Sequence, residues 1–149
     1  MVSPVSLRVN PAAEVRRLLP MGDCIAVMAE AMTALSGGEI DLPQRAITQL
    51  FDVSDVLILM PGAARDRPVY GAKVNSLHPG NAARGSPTVQ SVVLLFDRTS
   101  GAPLAVIDGA AITALRTAAA SGLATEHLAR SDARSLGVLG AGWLAGRRT

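Results

Sequence analysis

Aromatic side chains are scarce, with Phe, Tyr and Trp making up 3% of the 149 residues. Base stacking needs such rings, and no run of Lys or Arg is dense enough to track a phosphate backbone, so nucleic acid is not an expected partner. Cysteine is scarcer still, because Cys24 stands alone. No intrachain disulfide can form, which is the cysteine usage of a reducing compartment and gives a cytoplasmic expectation. The helical repeat around Cys24 favours a small buried hydrophobe over a nucleophile. Long apolar runs are missing too: no stretch of about 18 residues escapes charges and turn formers, so no membrane span is expected. Met1 to Val9 lacks the apolar core of a signal peptide. Charge of one sign is nearly balanced, 14 basic against 12 acidic residues for a formal +2, although the isoelectric point is 9.3. No metal-ligand set and no internal repeat are expected.

What is present is apolar content, 49% of residues, with 17% charged. That suffices for one ordinary domain burying very roughly 70% of its unfolded surface. Val5 to Val9 reads as a short strand, with Asn10 as a helix cap and Pro11 at the first helical position. Val15, Leu18 and Leu19 share a face for two turns, and Leu19-Pro20 ends that element. Met21, Ile25, Met28, Met32 and Leu35 then form one apolar helical stripe of core residues, closed by Gly37-Gly38.

The middle of the chain changes period. Asp41 to Phe51 alternates in part, with Pro43 at an edge or loop. Val56 to Met60 is a dense apolar strand, and Pro61 to Pro68 a solvated connection. From Tyr70 to Leu77 the alternation places Gly71, Lys73, Asn75 and Leu77 on one face, which sets Lys73 inside a strand. His78-Pro79-Gly80-Asn81 is a turn, Ala82 to Pro87 a small-residue loop, and Thr88 to Phe96 and Pro103 to Ile107 are further strands. A helix follows from about Ala110 to Ala129, then a break at Ser131-Asp132. Successive short strands packed on an N-terminal helix pair predict an α+β domain with a mixed, largely antiparallel sheet.

Ser135 to Leu139 reads as a short strand entering a parallel α/β unit. Gly140, Gly142 and Ala145 then fit G-x-G-x-x-A: a tight turn, a close backbone approach to a pyrophosphate, and close helix packing. The plainer alternative is an ordinary glycine-rich strand-to-helix turn. Lys73 and Arg116 point to a small anionic substrate, since a guanidinium grips a carboxylate with two directed bonds and a desolvated lysine can move a proton. A snorkelling Lys73 and a solvated Arg116 are their plainer readings.

Taken together, several pieces resemble the ornithine cyclodeaminase and mu-crystallin family: Gly71-Ala72-Lys73-Val74, His78 to Asn81, Gly85 to Gln90, Val93 to Asp97, Asp108-Gly109 through Arg116-Thr117, and Leu136 through Ala145. The resemblance implies a two-domain protein dependent on NAD or NADP. It implies substrate contacts at Arg45, Lys73, Thr88 and Arg116, with Lys73 as the active-site lysine, Arg116 as the carboxylate binder and Thr88 as a nearby polar contact. It further implies a small amino acid or cyclic imine as substrate, a homodimer, and oxidation at an α-carbon by hydride transfer, as in conversion of L-ornithine to L-proline and ammonia.

Residues 1–130 are accordingly expected to form the substrate-binding and dimerisation domain. Residues 131–149 are expected to be the first strand and glycine turn of an interrupted dinucleotide-binding domain of Rossmann type. The family's distal aspartate and remaining nucleotide-binding strands lie past Thr149, and Trp143-Leu144 replaces the smaller residues usual between Gly142 and Ala145. The 149-residue chain is therefore expected to be inactive alone. A noncatalytic ligand-binding or dimerising protein, as in mu-crystallin-like relatives, is the alternative. A third outcome is an aggregation-prone fragment with an unpaired strand at Gly137 to Leu139.

Overall fold

The computed structural model describes residues 6–50 and 54–139. Strand β1, Arg8–Asn10, opens it and pairs in parallel with Ala105 to Ile107 further along the chain. Asn10 therefore belongs to the sheet and does not cap the following helix. That helix, α1, spans Ala12–Leu18; Pro11 is its N-cap residue, with no side-chain cap, and the Pro11 carbonyl accepts from the Val15 N–H at 3.0 Å. A proline carbonyl can serve this end because the missing donor of Pro11 has no helical partner to lose.

Helix α2, Met21–Ser36, follows the expected break at Leu19-Pro20 and lies at 80° to α1. Its end is closed by the Gly37 N–H bonding the Thr33 carbonyl at 2.9 Å, with Gly38 at φ 74°. Glycine at that φ avoids the β-carbon clash of the left-handed region. Met21, Ile25 and Met28 pack against the core as their spacing predicts. Met32 and Leu35 do not: both are exposed. Among the described residues no single helix is long and apolar enough to cross a membrane.

The strands after α2 are β2, Ile40–Asp41; β3, Ala46–Leu50; β4, Asp55–Ala64; β5, Val69–Leu77; β6, Val89–Asp97; and β7, Pro103–Asp108. They form one seven-stranded sheet in the order β1-β7-β6-β5-β4-β2, with β3 also paired to β4. Among the described strands only β1 with β7 is parallel, so the sheet is mixed and largely antiparallel. Strand β4 runs on through Pro61 and Gly62, although their residue types predict a connection there. Pro61 is tolerated because it falls between the segments of β4 held by β3 and by β2, where β5 alone pairs with it. Pro79–Arg84, expected as turn and loop, forms a 3-10 helix ended by Gly85 at φ 65°.

Helix α3, Gly109–Leu128, completes the fold. Its Asp108 carboxylate accepts from the Ala111 N–H at 2.7 Å, a side-chain cap on an otherwise orphan donor. Ala111, Ala114, Leu115, Ala118 and Ala119 are buried. Small side chains on that face let α3 approach α1 and α2 closely, and Val15, Cys24, Ala111, Leu115 and Ala119 form the core cluster. The helices cover one face of the sheet. On the other face Leu57, Leu59, Tyr70 and Val92 are exposed.

Ser135 to Leu139 forms no strand. A strand needs a hydrogen-bonded neighbour, and none of the described strands runs beside this segment, whose Leu136, Val138 and Leu139 are exposed. Gly140, Gly142 and Ala145, the expected dinucleotide contacts, lie outside the described residues.

Candidate active site

Strand β5 sets the site. In register, Lys73 lies between Met60 of β4 and Val93 of β6, so its stem starts from the interior of the sheet. Alternation turns Gly71, Lys73 and Asn75 to the face covered by α3, and a contact bears this out: Lys73 Nζ donates a hydrogen bond to Thr113 Oγ1 of α3. The Thr113 hydroxyl in turn donates to the Gly109 carbonyl at 2.6 Å. Asn75, buried next along this face, donates from Nδ2 to the Met60 sulfur at 3.4 Å, which anchors one flank of Lys73.

Arg116 follows Thr113 by one helical turn and lies on the same side of α3. Burial, and then the like charge of Arg116, push the Lys73 amine below the ordinary lysine range. An amine eased toward its neutral form beside a permanent cation can hold an anion and exchange a proton with it.

A cleft of about 720 Å³ opens over this part of the sheet, with Leu42, Arg45, Met60, Arg67, Lys73 and Val93 in its lining. The structure thus brings together Lys73 and Arg45 in one cleft, and Lys73 and Arg116 in one electrostatic neighbourhood. Arg45 reaches the cleft from the 42–45 connection, where the chain leaves β2 before β3 begins. Thr88 is placed elsewhere, half-buried just before β6, with its carbonyl accepting from the His78 N–H at 2.8 Å. Five strand positions separate it from Val93, about 16 Å at the usual rise, and it is not in the cleft lining.

Two residues were not singled out by sequence. Thr113 could have been found from its three-residue helical spacing to Arg116, which puts both on one face. Arg67 read as a solvated turn residue. It lines the cleft because the β4–β5 hairpin folds it back, and it pairs with Glu30 of α2 at 3.0 Å.

The model of the ornithine cyclodeaminase/mu-crystallin family matches residues 6–149. A Delta(1)-pyrroline-2-carboxylate reductase of Bacillus cereus is 35% identical over 131 residues, which are 88% of this chain and 40% of the relative. Among solved structures, Thermococcus litoralis Delta(1)-pyrroline-2-carboxylate reductase in complex with NADH and L-proline superposes with a TM-score of 0.76 at 36% identity, over 84% of this chain and 39% of that one. The iminosuccinate reductase of Paracoccus denitrificans in complex with NAD+ superposes with a TM-score of 0.86 at 25% identity, over 95% of this chain and 44% of that one. The chain spans about two fifths of the length of these relatives.

Proposed function

The chain belongs to the ornithine cyclodeaminase/mu-crystallin family, and from that premise we propose that it supplies the substrate-binding part of an oxidoreductase dependent on NAD or NADP. The substrate class is a small amino acid or its cyclic imine carboxylate. Residues 1–130 form this part, and residues 131–149 begin the dinucleotide-binding part. L-Ornithine cyclisation to L-proline is one member of the reaction class, and reduction of a cyclic imine carboxylate, the activity named for the similar reductases, is the member the relatives favour.

The observation that carries this reading is the Lys73 amine, half-buried on the α3 face of the sheet with Thr113 as acceptor and Arg116 beside it. Lys73 is the only lysine among 14 basic side chains, the rest being arginine. Arginine does not give up its proton near neutrality, so the single position at which a titratable amine is kept is the one inside the site. Arg116 binds the substrate carboxylate, its planar fork matching the two oxygens. Arg45 faces the same cleft and contributes a second cationic contact. Lys73 donates a proton to, or takes one from, the substrate nitrogen as the adjacent carbon changes oxidation state. A nicotinamide held by the dinucleotide-binding part would supply or receive the hydride at that carbon.

A homodimer fits the same reading. Leu57, Leu59, Tyr70 and Val92 leave an apolar patch on the sheet face away from the helices, and a second copy is the proposed cover. Leu59→Glu combined with Val92→Glu is expected to convert a dimer to a monomer in sedimentation velocity, and a monomeric starting protein refutes this part.

The test of activity uses the product of the native gene, with oxidation of NADH or NADPH followed on Delta(1)-pyrroline-2-carboxylate and the reverse direction on L-proline and L-ornithine. Lys73→Met is expected to lower kcat by about 100-fold or more. Arg116→Met is expected to act mainly on KM. Undiminished turnover in Lys73→Met overturns the assignment, and ligand binding without any turnover selects the noncatalytic alternative.

A further inference from the structure

The hydrogen bonds around Lys73 run in one direction. Thr113 has a single hydroxyl proton, and that proton is given to the Gly109 carbonyl at 2.6 Å. Its oxygen is left to accept, and the donor it accepts from is Lys73 Nζ. Gly109 is itself pinned, since a β-carbon there would come within 2.8 Å of the Ser91 carbonyl carbon. The acceptor is thus tied through the first turn of α3 to β6, the strand adjoining that of Lys73.

From this geometry we infer that Thr113 is the positioning residue for Lys73: it holds one N–H of the amine and, having no proton to give back, turns the nitrogen lone pair away from α3 toward the cleft. The inference rests on Lys73 being the proton-handling group of the proposed reaction. An ammonium keeps three donors and can leave one on Thr113 while it presents others to a ligand. When a proton departs, the neutral amine still donates to Thr113, and its free lone pair cannot be capped by that hydroxyl. A valine in place of Thr113 would keep the branched shape and remove the acceptor. The charged amine loses more by that change than the neutral one, because hydrogen bonds to ionised groups are the stronger.

Among the described residues, the charged groups placed around Lys73 are Arg116 from α3 and Arg45 and Arg67 in the lining of the cleft. Its register neighbours Met60 on β4 and Val93 on β6 are uncharged. Among the described residues no carboxylate forms an ion pair with Lys73, so Thr113 is the fixed acceptor that favours its proton.

The single lysine makes the test direct. Lysine labelled with 13C at the ε-carbon gives one side-chain resonance, and its titration reads Lys73 alone in this chain, without substrate or turnover. Thr113→Val and Thr113→Ala are expected to move the midpoint down by about half a pH unit or more, whereas Thr113→Ser restores the wild-type midpoint. Backbone amide spectra of each variant confirm that the fold is retained, and Thr113→Ala serves if valine perturbs the helix. An unchanged midpoint in a folded Thr113→Val or Thr113→Ala chain overturns the inference, as does a serine variant that titrates like alanine. Failure of the proposed activity would show separately, as a normal Thr113 dependence of the titration in a protein without turnover.

Discussion

A β-carbon on Gly109 would stand 2.6 Å from the hydroxyl oxygen of Ser91, so the first turn of α3 lies on β6 more closely than any side chain at that position permits. The contact places Thr113 over Lys73, since the Gly109 carbonyl takes the Thr113 hydroxyl proton. Gly109→Ala is therefore expected to lose about 1–3 kcal/mol in urea denaturation, because helix and strand must separate. Adding Ser91→Gly is expected to recover only part of that loss, as the Ser91 carbonyl carbon, 2.8 Å away, remains in the path. Full stability in Gly109→Ala would show that the helix start can shift freely.

Asp108 caps the same end of α3. Its carboxylate accepts from the Ala111 N–H at 2.7 Å, and Ala111 is buried. Asp108→Ala should cost about 1 kcal/mol, and Asp108→Asn or Asp108→Ser should cost much less. Urea midpoints for the three variants check this ranking, and an alanine variant as stable as the wild type would remove the cap from the account.

Much of this arrangement was legible in the chain because it is periodic. The alternation from Tyr70 to Leu77 set Lys73 within a strand and on a face with Asn75, as found. The Met21 to Met28 part of the α2 stripe is also where periodicity put it. What was not legible depends on neighbours distant in sequence. Asn10 has a good capping side chain, yet pairing of β1 with β7 claims it for the sheet. Pro61 signals a break, yet it falls opposite the gap between β2 and β3, so β4 continues. Ser135 to Leu139 has strand composition without a described strand to pair with. Within the site, the spacing of Thr113 and Arg116 was open to view, but which strand their helix face covers was not, and only that contact identifies Thr113 as the partner of Lys73.

Cys24 is 2% exposed within the helical core, and burial pushes its thiol upward from the ordinary range. The thiol should react with a disulfide reagent only as fast as the chain opens, so labelling across a urea series should follow the loss of helix. Cys24→Ser buries a hydroxyl in a site built for a weakly polar sulfur and should cost about 1–3 kcal/mol. Rapid labelling of the native chain would mean that α1 and α2 part from α3 without global unfolding.

Lys73 also couples stability to pH. Burial first, and Arg116 second, hold its amine below the ordinary value of about 10.4, so between the folded and unfolded values the unfolded chain carries the extra proton. Stability from this group therefore rises with pH across that window and is flat on either side. Below the window the charged amine is a standing cost to the fold; above about pH 10.4 it is neutral in both states and the cost is gone. Lys73→Met keeps much of the stem and removes the charge. Relative to wild type it should gain stability near neutral pH, by a small amount because the amine is partly screened by water, and the gain should shrink toward about pH 10.4. Paired urea titrations at the two ends measure the change. A difference between variant and wild type that stays constant with pH would mean that packing of the stem, and not the charge, sets the effect of the substitution.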